Sequence, residues 1–100
     1  MFGLTKDEQK LIFDVLNSYS VIEKIMIFGS RAQGNYRANS DIDLVVWGKI
    51  DPRLLAKIIS QLDELPLPFL FDLKVYDDIS HQALKDHINN YAIDFNCIVS

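Results

Sequence analysis

The stretch "SDIDLVVW", Ser40 to Trp47, sets two aspartates, Asp41 and Asp43, at alternate positions at the head of an apolar run. In an extended strand successive side chains point to opposite faces, so the two acids share one face with Cα atoms about 6.5 to 7 Å apart. Ile42, Leu44 and Val46 then take the opposite face and pack beneath helices. Two ionised carboxylates that close repel each other, and a buried unpaired charge costs several kcal/mol. The pair is stable where the site is exposed, shares a proton, or holds a cation.

The rest of the chain supplies the frame for such a strand. Thr5 followed by Glu8 forms a capping box, and Leu11, Ile12, Val15 and Leu16 recur at helical spacing, which predicts a helix over Lys6 to Ser18. Ile25 to Phe28 is β-branched and aromatic and stops at Gly29, as a short buried strand does. The polar segment "SRAQGNYRANS" predicts a short helix from Ser30 and then a loop. "DIDLVVW" is the second strand, closed by Gly48. Asp51 with Pro52 opens a second long helix that runs to about Glu64 on a face of Leu54, Leu55, Ile58, Ile59 and Leu62. Pro66 and Pro68 favour extended chain into "FLFDLKVY", a third strand interrupted by Asp72. Asp78 or Ser80 is expected to cap a last helix bearing Leu84, His87, Ile88 and Tyr91, and "AIDFNCIV" reads as a fourth strand. These elements predict an α/β or α+β fold, a small mixed sheet of about four strands with helices packed on one face.

With 100 residues the chain fits one domain spanning 1–100. A net charge of −4 argues against long nucleic acid as a partner, while a nucleotide screened by cations remains compatible. No apolar run approaches the roughly 20 residues of a membrane span, and "MFGLTKDEQK" lacks a basic segment followed by an apolar one, so a cytoplasmic location and no membrane partner are expected. Cys97 is the single cysteine; it permits no intrachain disulfide and reads as a small buried apolar residue.

The carboxylates define the chemistry to look for. Oxygen-only ligands suit a hard cation, Mg²⁺ or Mn²⁺, and Asp72 is a third acid in a comparable apolar strand. Three such carboxylates on neighbouring strands would hold two ions about 3.5 to 4 Å apart, the spacing of phosphoryl and nucleotidyl transfer. Asp77 and Asp78 rival Asp72, but they fall where the strand should have ended. Gly29 lets the backbone turn tightly against a ligand, and Ser30 offers a hydroxyl at the start of the short helix. His81 and His87 lie six residues apart, a spacing that does not put both on one side of a helix, so neither reads as a ligand. Trp47 reads as core, with stacking on a base beside Tyr36 as its functional alternative.

The combination of "FGS", a spacer of ten residues and "DIDL" resembles the DNA polymerase β-type nucleotidyltransferase superfamily, and "FGSRAQG" with "SDIDLVV" in so short a chain resembles its minimal nucleotidyltransferase (MNT) group. The resemblance implies a nucleotide triphosphate, ATP, held at Gly29 and Ser30 with help from Arg31, and two Mg²⁺ ions, replaceable by Mn²⁺, on Asp41, Asp43 and Asp72. It implies that Asp72 helps activate an acceptor hydroxyl for attack on the α-phosphate, with pyrophosphate leaving. Arg37 and Lys74 are further candidates for phosphate contact, Lys74 also for pairing with Asp72. Gln33 stands where the group often has a basic residue, and Lys74 where an apolar one is usual. Larger relatives carry a helical acceptor domain, so an acceptor from outside is expected. The resemblance implies a helical HEPN-type partner protein and an antitoxin role through AMP transfer. The alternatives are a small-molecule acceptor such as an aminoglycoside, and a module that binds nucleotide or blocks a toxin without turnover.

Overall fold

The computed structural model of the protein describes residues 3–34, 36–37 and 40–95. Helix α1 (Lys6–Asn17) begins with the expected capping box: the Thr5 hydroxyl accepts from the Glu8 N–H at 3.1 Å, and the Thr5 N–H donates to Glu8 Oε1 at 2.9 Å. Strand β1 (Lys24–Phe28) runs directly into a short helix α2 (Gly29–Gln33), and strand β2 (Ile42–Trp47) follows. Helix α3 (Pro52–Asp63) starts with Asp51 accepting from the Leu54 N–H at 2.7 Å, with proline in the first turn where its missing donor costs nothing. It feeds strand β3 (Phe71–Val75), a 3₁₀ turn at Tyr76–Asp78, helix α4 (Gln82–Tyr91) and strand β4 (Ile93–Asp94).

The sheet order is β3-β2-β1-β4. Strand β1 pairs antiparallel with β2 and β4, whereas β2 and β3 are parallel, the pairing that needs a crossover such as α3. Alternation sorts the strands into two faces, as expected. On one face Ile27, Leu44 and Val46 of the sheet meet Ile12 and Leu16 of α1 and Ile58 and Leu62 of α3 in the main core. Leu44 is fully buried there, and Leu44→Ala should cost about 3 kcal/mol, read as a lower denaturant midpoint with an unchanged m-value.

The single covered face expected from the sequence holds for α1 and α3. Helix α4 differs: its Ile88 packs with Phe28 and Val45 on the other side, so this helix partly roofs the face that carries Asp43. The cap of α4 also needs correction, because the residue before the helix is neither Asp78 nor Ser80. His81 Nδ1 accepts from the Leu84 N–H at 3.3 Å, and Asp78 is instead used in the 3₁₀ turn. Of the expected fourth strand, only Ile93–Asp94 is paired with β1; Ala92 caps α4, Phe95 is buried in the main core, and residues 96–100, Cys97 among them, lie outside the described residues.

Candidate active site

Strand register decides whether the three acids meet. The Cα partners of Asp43 are Phe28 on β1 and Asp72 on β3. Neighbouring strands lie about 4.8 Å apart and in-register residues of a parallel pair point to one side, so Asp43 and Asp72 stand side by side on the face away from the main core. Asp41, two residues before Asp43 and just outside the strand, is exposed at the same end. The three carboxylates feel one another. Partial burial pushes the Asp43 carboxyl up from its ordinary value, the negative charges of Asp72 and Asp41 push it further, and the positive fields of Lys74 and His87 oppose them.

Lys74 Nζ lies 3.5 Å from Asp72 Oδ1 in an exposed pair, so this lysine takes the Asp72 pairing foreseen as one of its two roles. Such a pair contributes little stability. Its position matters more, since it holds a positive charge at the edge of an acidic cluster. Among the described residues no three Asp, Glu, His or Cys side chains stand close enough together to form a ready ligand cluster. A hard divalent ion still fits the donor set, which consists of carboxylates from two adjacent strands whose mutual repulsion such an ion would relieve.

The turn between β1 and α2 supports the cluster from below. Gly29 has φ of +75°, a left-handed conformation, and a Cβ there would collide with Asp43 Oδ2. Only glycine lets the backbone lie against that carboxylate. Ser30 follows, half-buried, in the first turn of α2, which ends at Gly34 with φ of 85°. The turn and the acids therefore occupy one end of one sheet face.

Arg31, in the same short helix, is buried. Its side chain is 2% exposed, with Nε 3.2 Å and Nη2 2.8 Å from the Ser40 carbonyl and the guanidinium 4.8 Å from the Phe69 ring. Arg37 is exposed, and its N–H donates to Ser40 Oγ at 2.8 Å. Trp47 follows its core reading: it stacks on Tyr76 at 4.8 Å, with Lys24 over its ring at 4.9 Å. Tyr36 lies elsewhere, 5.4 Å from the Arg31 guanidinium. Asp77 and Asp78 sit in the 3₁₀ turn after β3, as the reading that preferred Asp72 expected. The residue that sequence reasoning passed over is His87, half-buried on α4 and edge-on to Phe28 at 6.4 Å, near enough to Asp43 to bias its protonation. Its signal was the shared helical side with Leu84, Ile88 and Tyr91, which identifies a packed face but not what the face covers.

Paired acids, a left-handed glycine turn and the flank of α4 thus share one face of the sheet. The family model described as polymerase beta, nucleotidyltransferase, matches residues 10–94, and the chain belongs to that family. Over 50 residues it is 38% identical to the proposed protein adenylyltransferase MJ0604 of Methanocaldococcus jannaschii, a match covering 45% of this chain and 50% of that protein. This chain thus spans about half the length of that curated relative. Two solved structures share the fold. A toxin-antitoxin crystal structure with AMP-PNP superimposes with a TM-score of 0.74 at 21% identity, covering 91% of this chain and 80% of that one. A tri-AMPylated Shewanella oneidensis HEPN toxin in complex with an MNT antitoxin gives 0.69 at 16% identity, covering 95% and 81%.

Proposed function

We propose that this protein is a Mg²⁺-dependent adenylyltransferase that moves AMP from ATP onto a hydroxyl of a helical, HEPN-type partner protein, acting as the antitoxin of a toxin-antitoxin pair. The observation that carries the reading is the register of Asp43 with Asp72 beside the Gly29 turn. The relatives support the acceptor class: one is named for protein adenylyl transfer, and another is an antitoxin bound to an AMP-modified HEPN toxin.

Asp41, Asp43 and Asp72 are the residues that would hold Mg²⁺, which when bound neutralises phosphate charge and orients the triphosphate. The backbone N–H groups at Gly29 and Ser30 would face the phosphates beside the Asp43 carboxylate, against which Gly29 lies because it has no Cβ. Asp72 accepts the proton of the acceptor hydroxyl. The hydroxyl oxygen forms a bond to the α-phosphorus, the bond from that phosphorus to the β-phosphate bridge breaks, and pyrophosphate leaves with the electron pair. Lys74, 3.5 Å from Asp72, places a positive charge beside that carboxylate.

The test is incubation with Mg²⁺, ATP labelled at the α-phosphate and a helical HEPN-type protein as acceptor. Label is expected on that protein. Label only on small hydroxyl compounds would replace the acceptor class. No label anywhere, with toxin neutralisation surviving alanine at both Asp41 and Asp43, would replace catalysis by contact inhibition.

A further inference from the structure

Arg31 is the one charged side chain among the described residues that is buried, and burying a guanidinium is costly unless its donors and faces are engaged. The structure engages them. Two nitrogens of the fork grip a single oxygen, the Ser40 carbonyl, at 3.2 and 2.8 Å. The rings of Phe69 and Tyr36 lie 4.8 and 5.4 Å from the guanidinium carbon. The N-terminal segment closes over it, since a Cβ on Gly3 would come within 2.8 Å of Nη1.

Each contact reaches a segment that carries part of the site. Arg31 itself follows Ser30 in the turn helix. The Ser40 carbonyl belongs to the peptide unit joining Ser40 to Asp41, so holding it fixes the direction in which the chain leaves for Asp41 and Asp43. Phe69 lies just before β3, whose second residue is Asp72, and the Ile42 N–H donates to the Leu70 carbonyl at 2.9 Å, tying the heads of the two acidic strands together. We infer that Arg31 is a positioning residue that locks the Gly29–Ser30 turn to the carboxylate strands from inside the fold, rather than a ligand of the triphosphate. With 2% of its surface accessible, it acts on the reaction through the Ser40 peptide.

The inference rests on the nucleotidyl-transfer reading for its kinetic consequence and on the fold alone for its structural one, so the test has two arms on the full chain. Arg31→Met keeps bulk and removes the fork; Arg31→Lys keeps one donor. Hydrogen exchange should show amides of residues 40–43 opening about tenfold faster in Arg31→Met, with α3 still protected, and an intermediate effect in Arg31→Lys. In AMP transfer kcat should fall on the order of 10- to 100-fold with KM for ATP within about twofold, because misplacement by a fraction of an ångström is felt in the transition state. Arg31→Lys should recover part of that loss, and it carries both arms if Arg31→Met does not fold. A KM for ATP raised about tenfold or more with kcat intact would make Arg31 a triphosphate ligand and overturn the inference. So would unchanged exchange at residues 40–43. If the parent protein transfers no AMP, the proposed function fails, while the exchange arm still decides the role of Arg31.

Discussion

Asp43→Asn should abolish AMP transfer, a loss on the order of 10³-fold, and at the same time raise the melting temperature at neutral pH by a few degrees. The two effects share one cause. Asp43 is held half-buried between Asp72 and Asp41, which pushes its carboxyl above the ordinary value of 3.8. Between the unfolded and folded pKa the native state binds more proton than the unfolded state, so stability falls as pH rises through that window. The penalty is complete above the folded pKa and absent below 3.8, where both states are protonated. Asparagine removes the charge and with it the penalty. The gain in Tm should therefore be present at pH 7 and disappear in acid, and it stays small because the site is open enough for solvent to screen the repulsion. Asp41, exposed, should give the same catalytic loss with a smaller gain. Mg²⁺ should raise the Tm of the parent and not of Asp43→Asn. An Asp43→Asn protein that melts lower at pH 7, or keeps a tenth of the transfer rate, would make the residue structural and remove the centre of the proposed site.

Much of this arrangement is legible in the residues alone. Alternation in "DIDLVV" separates the acidic face from the packed one without reference to any neighbour, and the Thr5 and Asp51 caps are local chemistry, so α1 and α3 begin where their sequences place them. Asp72 is harder, because its partner depends on how a parallel strand registers across a helical crossover. The apolar run around it fixes its face and leaves its neighbour open, and the pairing Asp43 with Asp72 settles that. Helix α4 is harder still. Its apolar side fits either face of the sheet, and its place is decided by Phe28 and Val45, which leave an apolar patch on the acidic side for Ile88 to cover. Arg31 shows the limit most clearly. A basic residue beside a Gly-Ser turn looks like a phosphate ligand in one dimension, and only the three-dimensional proximity of Ser40 and Phe69 shows it to be interior.

Gly29→Ala should lower stability by about 1 to 3 kcal/mol and AMP transfer on the order of 10²-fold, the reverse stability sign from Asp43→Asn. Two separable costs contribute. The first is backbone strain, since φ of +75° is a left-handed conformation that costs an L-residue with a Cβ roughly 1 kcal/mol or more. The second is the collision of the new methyl with Asp43 Oδ2, which must displace the carboxylate and spoil the alignment of the acids. A double-mutant cycle separates them. In an Asp43→Ala background the carboxylate is gone, so Gly29→Ala should cost only the backbone part, about 1 kcal/mol, and the coupling between the sites should equal the remainder. The quantity to measure is the denaturant midpoint of all four proteins at pH 7. Additive costs would mean that the glycine turn and the Asp43 carboxylate do not press on each other, and the close approach of Gly29 to the acid cluster would have to be abandoned.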